Sequence, residues 1–387
     1  MDNSLINIAQ QLKATNSKVQ LVYAFNGTGK TRLSRTFKEL ITPKYDENTE
    51  TSSELTSKKI IYYSAFTEDL FYWDNDFERG TQHKLMIQPN AFTKWVLEEQ
   101  GQDQNIIEYF QRYTNDKLTP RFNEEFSEVT FSLEGGNAES IKNLKISKGE
   151  ESNFVWSIFF SLLELIISTL NDIQPDYPES TPFDNIDYIF IDDPVSSLDD
   201  NHLIQLAVDL AQLIKRNNSQ IKFIVTTHNP LFYNVLYNEF NSKDTNPIYH
   251  WKPAHFKKYR LDKHQDGTLS LAEQLNDSPF SYHLYLISQL ESVINSGQVG
   301  KYHFNLLRNI LEKTATFLGY KRWELLLPKT NDDLPNAYAK RIVNFSSHSK
   351  HAAEEVSTLK PEEKKMLGML LKHLIDQHHF YRNESHE

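Results

Sequence analysis

Cysteine is absent from the 387 residues. Its absence excludes disulfides, thiolate zinc sites and cysteine nucleophiles together. It also fits a reducing compartment, so a cytoplasmic location is expected. Long hydrophobic runs are missing too. The longest, Phe154 to Ile167, is broken by Ser157, Ser161 and Glu164, and reads as too short and too polar to cross a bilayer. The opening stretch MDNSLINIAQQLKATNSK is polar and has no apolar signal core. No internal repeat and no sustained heptad array occurs, which argues against architectures with long coiled-coil arms. Positive charge is the scarcer sign: 41 Lys and Arg against 52 Asp and Glu leave a net charge of −11. Affinity for nucleic acid in general comes from many cations neutralising phosphates, so any such binding here needs a local basic site.

What is present suits a soluble globular chain, with 39% hydrophobic and 24% charged residues. The length exceeds what one core usually serves, so two domains are expected. Lys18–Ala24 (KVQLVYA), Lys59–Phe66 (KIIYYSAF), Asp187–Ile191 (DYIFI) and Ile221–Thr227 (IKFIVTT) read as strands. The last two are short apolar runs ending in polar residues, the form of central strands in a parallel sheet. Asn153–Asn171 reads as a largely buried helix and His202–Ile214 as an amphipathic one. This βαβ rhythm runs to about residue 260. From Ser281 helical patterns dominate, and eight of the 14 histidines fall there. The expected fold class is α/β, with a nucleotide-binding domain over 1–265 and a mainly helical C-terminal domain over 266–387.

Ala24–Thr31 (AFNGTGKT) follows the first strand and opens a helix. That is the setting of a P-loop, G-x-x-x-x-G-K-[ST], whose backbone N–H groups cradle phosphates at a helix N-terminus. Asn26, Gly27, Thr28 and Gly29 would wrap the phosphates, Lys30 would reach the β- and γ-phosphates, and the Thr31 hydroxyl would bind Mg²⁺. Ala24 replaces the pattern's first glycine. In Tyr188–Asp193 (YIFIDD) an apolar strand ends in two carboxylates. Asp192 is the expected Mg²⁺ partner and Asp193 the group polarising the attacking water. PVSSLDD follows and looks like the D-loop of ABC ATPases, with Ser197 and Asp199 at a subunit contact. His228 in TTHN resembles the switch histidine of that class. ISKGE resembles the ABC signature loop, placing Ser147 and Gly149 at a helix start, where they would meet the γ-phosphate of a second subunit. The order of these motifs indicates an ABC-type P-loop NTPase domain acting as a head-to-tail homodimer. Asp193 stands where ABC ATPases usually carry Glu, and no glutamine loop is clear.

In KYHFNLLRNILEKTATFLG the apolar face is Leu306, Leu307, Ile310, Leu311, Thr314 and Leu318. Arg308 and Glu312 stand one turn apart on the same side. By spacing alone they make an ordinary surface ion pair worth ~0.3–0.5 kcal/mol, and His348 is an ordinary histidine.

The stretches VYAFNGTGKTRLSR, AFTEDLFYWDND, KISKGEESNF, IFIDDPVSSLDDNHL, FSYHL, YHFNLLRN and NFSSHS together resemble the bacterial anticodon nucleases over nearly the whole chain. The resemblance implies a nuclease triad of Arg308, Glu312 and His348. It implies a lysine tRNA (tRNA-Lys) as substrate, cut 5′ to the wobble base, with Asp277 in NDSPFSYH contacting that base. It implies latency under a type I restriction–modification complex in anti-phage defence, GTP hydrolysis for activation and a thymidine nucleotide for stabilisation. Mg²⁺ with GTP or ATP is the expected cofactor set, with no metal at the cut. The residue types suit RNA cleavage. Its own 2′-OH is the nucleophile, Glu312 and His348 can serve as base and acid, and Arg308 can clamp the phosphate. An ABC-type sensor with no nuclease of its own is the alternative.

Overall fold

The apolar runs Asp187–Ile191 and Ile221–Thr227, which end in polar residues, become neighbouring strands of one sheet, and their polar ends share one edge. The computed structural model describes residues 3–42, 59–64, 71–74, 83–88, 97, 100–134, 141–172, 181, 183–194, 200–242, 251–264, 266–274, 282–329, 336–347 and 359–380. The chain divides into two compact units, Met1–Asp277 and Ser278–Glu387.

In chain order the first unit runs α1 (Asn3–Ala14), β1 (Val19–Tyr23), α2 (Lys30–Ile41), β2 (Ile60–Ser64), β3 (Phe71–Asp74), β4 (Lys84–Ile87), α3 (Asp103–Arg112), β5 (Leu118–Phe122), β6 (Glu128–Leu133), α4 (Lys148–Asn171), β7 (Tyr188–Asp192), α5 (Asp200–Arg216), β8 (Lys222–Thr227), α6 (Pro230–Asn241), β9 (Phe256–Lys263) and β10 (Leu269–Glu273). One sheet has the order β10-β9-β1-β8-β7-β2. Its strands are parallel except β10, which pairs antiparallel with β9. The register sets Ser64 beside Asp192, Asp192 beside Thr226, and Tyr23 beside Thr227. The carboxyl ends of β1, β2, β7 and β8 therefore form one edge, the place where open α/β sheets bind ligands.

The unit boundary lies later than residue 265. The chain past that point turns back as β10, and Leu269 joins Val22, Ala24, Leu33 and Phe190 in one buried cluster. Pairing and burial bind this segment to the sheet, so a composition change near 265 does not mark the end of the core.

A second sheet, β3-β4-β6-β5, is antiparallel throughout. The rings of Phe71, Phe110, Phe122 and Phe131 lie 5.4–5.9 Å from that of Phe154 on α4. This aromatic cluster joins the sheet and α3 to α4. By length and composition α4 could span a membrane, unlike its broken central run taken alone. The helix reaches 24 residues because a capped polar turn extends it at the start. Yet 67% of its most apolar stretch is buried inside the protein, which makes it a core helix.

The second unit contains α7 (Tyr282–Ser296), α8 (Tyr302–Phe317), a 3₁₀ turn at Trp323–Leu326, α9 (Ala337–Ser347) and α10 (Pro361–His378). Leu290, Phe304, Leu307, Ile310, Val343, Leu371 and Leu374 share one core. Leu318 is not in it. The residue caps α8 and is 46% exposed, because the helix ends there and the chain turns away.

Candidate functional site

Two constellations stand out, one in each unit. In the first, β1 delivers the chain into the loop Ala24–Gly29 and α2 begins at Lys30. Gly27 and Gly29 have φ of 77° and 114°, a left-handed region in which a side chain is strained. Gly29 caps α2, so the loop aims its backbone at the N-terminal end of that helix. Ala24 is absent from the positive-φ residues, and its N–H bonds to Thr227 O at 3.0 Å as β1 continues. Glycine is therefore not required there, which accounts for the departure from the P-loop pattern.

Lys30 is buried to 7% exposure. Its Nζ donates to Ala24 O (3.2 Å), Phe25 O (3.4 Å) and Asn26 Oδ1 (3.3 Å), and lies 3.4 Å from Asp193 Oδ2. The ammonium group is thus held inside the loop's curl, pointing where anionic oxygens would enter. Asp192 is 1% exposed. Its Oδ1 accepts from Thr226 Oγ1 at 2.7 Å, and Oδ2 accepts from Ser34 Oγ at 3.4 Å and Tyr62 OH at 3.5 Å. The Thr31 hydroxyl also hydrogen-bonds to it. Burial raises the Asp192 pKa, and the bonds from Thr226 and Thr31 oppose that rise. A hydroxyl and a carboxylate side by side at a P-loop form a hard oxygen donor pair that fits Mg²⁺.

Asp193 takes a left-handed backbone, φ 52°, with its N–H bonded to Thr226 O at 2.9 Å. Asp tolerates that region better than most side chains. The turn brings its carboxylate between Lys30 and His228, whose Nδ1 lies 2.6 Å from Oδ2. The His228 backbone N–H donates to Oδ1 at 3.2 Å. Burial pushes the Asp193 pKa up, but the His228 hydrogen bond and the Lys30 charge more than offset it and hold the group below its ordinary value. An ionised carboxylate can only accept, so Nδ1 is the donor and Nε2 carries no proton in the neutral ring.

Ser147 is the N-cap of α4. Its Oγ accepts from Glu150 N at 3.3 Å, and its own N–H donates to Glu150 Oε2 at 2.7 Å, a reciprocal capping box. Gly149 lies in the first turn, so both signature residues sit at an N-terminal helix end. Below them Glu151, 6% exposed, accepts from Trp73 Nε1 at 2.9 Å and pairs with Lys148 at 3.0 Å. Trp73 thereby ties the antiparallel sheet to this end of α4. Ser197 and Asp199 lie outside the described residues.

In the second unit, Arg308 Nε donates to Glu312 Oε1 at 2.8 Å along α8. The Arg308 side chain is 23% exposed against 49% for Glu312, and its guanidinium sits 5.6 Å from the centre of the Trp323 ring. The aromatic face attracts the cation and adds a contact that a simple surface ion pair lacks. Trp323 has no motif around it, so spacing could not single it out. His348 and Asp277 lie outside the described residues.

Comparison with known proteins places the chain in context. Residues 104–374 match a family model described as an AAA domain, a match that begins after the P-loop. An anticodon nuclease of Escherichia coli is 51% identical over 388 residues, covering 97% of this chain and 94% of that one. Among solved structures, an SMC head bound to the C-winged helix domain of ScpA is 12% identical with a TM-score of 0.34, covering 67% of this chain and 90% of that one. An SMC head domain from Thermotoga maritima is 14% identical with a TM-score of 0.29, covering 67% and 91%.

Proposed function

The chain belongs to the anticodon nucleases and carries an AAA-type NTPase domain, and from that premise we propose that it is a nucleotide-regulated endoribonuclease that cuts a tRNA anticodon loop. Likeness over nearly its full length carries this reading; the Arg308–Glu312 pair supplies a chemistry for it.

The substrate in this reading is tRNA-Lys, broken 5′ to the wobble base. Anticodon bases are unstacked, so a protein can read their edges. Asp277 is the proposed acceptor for the wobble base. One member of the Glu312–His348 pair removes the 2′-OH proton. The freed oxygen attacks the adjacent phosphorus, and the P–O5′ bond breaks. The other member protonates the departing 5′-oxygen, leaving a 2′,3′-cyclic phosphate and a 5′-OH. Arg308, set over the Trp323 ring and bonded to Glu312, stabilises the charge on the phosphorane oxygens. Every proton in this sequence is carried by a side chain, so the cut is proposed to need no metal.

Regulation is assigned to the first unit. Lys30 and the N–H groups of residues 26–31 bind the β- and γ-phosphates of GTP or ATP. Mg²⁺ at Thr31 and Asp192 would draw charge from those phosphates. Asp193 polarises the attacking water and His228 senses the γ-phosphate. Ser147 and Gly149 complete the site of a second copy in a head-to-tail homodimer. A thymidine nucleotide is the proposed stabilising ligand. A type I restriction–modification complex is the proposed silencing partner, in the cytoplasm.

The depressed Asp193 pKa has a consequence. The group stays ionised as pH falls through the ordinary carboxylate range, so protonation of Asp193 costs no nucleotide hydrolysis within that range. Of the Lys30 and His228 groups that oppose burial, only the Lys30 charge and the residue-228 backbone N–H remain in His228→Ala, so Asp193 protonates at higher pH and the acid limb moves upward. Phosphate release measured against pH checks this, and an unmoved limb counts against the Asp193 assignment.

Sequencing RNA ends from cells expressing the chain tests the main proposal. One dominant break in the anticodon loop of tRNA-Lys is expected. Breaks scattered through messenger RNA reject the substrate, and no breaks at all reject the nuclease.

A further inference from the structure

The C-terminal end of α8 presents apolar and aromatic surface that the proposed chemistry does not use. Phe317 is 90% exposed, and Leu318 and Tyr320 are 46% and 44% exposed. The helix ends in a Schellman turn, in which Tyr320 N–H bonds to Ala315 O at 2.8 Å and Gly319 N–H to Thr316 O at 3.2 Å. Gly319 takes φ 77°, which this turn requires. Both rings therefore stand on a fixed backbone.

Charge on the same stretch has one sign. From Lys313 to Trp323 the chain carries Lys313, Lys321 and Arg322 and no carboxylate, although the whole chain is at −11. Those three cations are exposed. Glu324, the next acid along, pairs with Lys340 at 3.2 Å. Trp323, which carries the Arg308 guanidinium, follows the stretch directly. Exposed rings flanked by cations match unpaired nucleotides, whose bases stack and whose phosphates are anionic.

We propose that Phe317 and Tyr320, with Lys313, Lys321 and Arg322, form a stacking platform for unpaired bases of the RNA substrate at the C-terminal end of the helix that carries the Arg308–Glu312 pair. This rests on the nuclease reading and adds to it a binding surface separate from the reacting groups. It also resolves the tension between an acidic chain and an RNA substrate, since the cations are concentrated where bases can stack.

The test uses the full chain and an anticodon stem-loop RNA with 2-aminopurine in the loop and a 2′-deoxy sugar at the scissile position. Phe317→Ala with Tyr320→Ala weakens binding roughly ten- to a hundredfold, the usual range for losing base stacking, and removes the fluorescence quench. Phe317→Trp restores both. Lys321→Ala with Arg322→Ala flattens the salt dependence of binding, by about 0.7 in log–log slope per lost contact. On cleavable RNA the aromatic double variant raises KM and leaves kcat and nucleotide hydrolysis unchanged. Wild-type affinity in the aromatic double variant overturns the platform, whether or not Arg308→Ala abolishes cleavage. Altered self-association with unaltered RNA affinity overturns it too and makes the patch a contact between copies. If Arg308→Ala cleaves normally, the nuclease assignment fails, and the binding shift still decides the platform.

Discussion

Arg308→Ala lowers RNA cleavage by roughly 10²–10³-fold, the cost of removing one preorganised donor from a developing oxyanion, and abolishes toxicity in cells. The fold should hardly notice. Glu312 is 49% exposed, so the lost pair is partly solvated and contributes little to stability. Arg308→Lys keeps the charge but loses the planar fork and its seat on Trp323, so it recovers only part of the rate. His348→Ala, which removes the proposed proton-transfer group, falls by about 10²–10⁴-fold. Initial cleavage rates on an anticodon stem-loop, with thermal unfolding as control, measure both. Unchanged toxicity in both variants would favour the alternative, an ABC-type sensor that leaves cutting to another protein.

Lys30→Ala silences the same nuclease from the other unit. Among the described residues, the ammonium group is the one Lys or Arg cation within 3.5 Å of Asp193. It is also the group proposed to reach the β- and γ-phosphates. Without it nucleotide hydrolysis falls by at least ~10²-fold, and cleavage that depends on nucleotide turnover stops. Two readouts separate the steps: phosphate release reports the NTPase, and stem-loop cleavage reports the nuclease. Full cleavage by a chain that no longer hydrolyses nucleotide would cut the proposed link between the two units.

The nucleotide edge was legible in the sequence because its parts are local. Each of β7 and β8 is an apolar run closed by polar residues, β1 leads directly into the Gly-containing loop, and parallel pairing then brings Tyr23, Asp192 and Thr227 to one edge. The backbone around Asp193 was not legible. Its left-handed turn and its bond to His228 depend on a contact between the ends of two strands. The antiparallel sheet was missed because β3 and β4 have only four residues each, and β4 also pairs with β6, which lies beyond α3 and β5 in the chain. Within FTEDLFYWDND, one of the stretches that carry the family resemblance, Phe71–Asp74 forms a strand and Trp73 bonds to Glu151, neither of which the sequence alone suggested. The boundary near 265 followed a change in composition, while β10 is held by pairing that composition does not record. Arg308 and Glu312 were readable from their spacing and from the family resemblance. Trp323 was not, since it reaches Arg308 through the turn after α8.

The chemistry of the broken RNA ends tests the central claim most directly. Cleavage by the 2′-OH, with Arg308, Glu312 and His348 moving charge and protons, leaves a 2′,3′-cyclic phosphate upstream and a 5′-OH downstream. Those ends should form at the same rate when EDTA is added after nucleotide activation. A 3′-OH with a 5′-phosphate, or cleavage that stops on chelation, would contradict it.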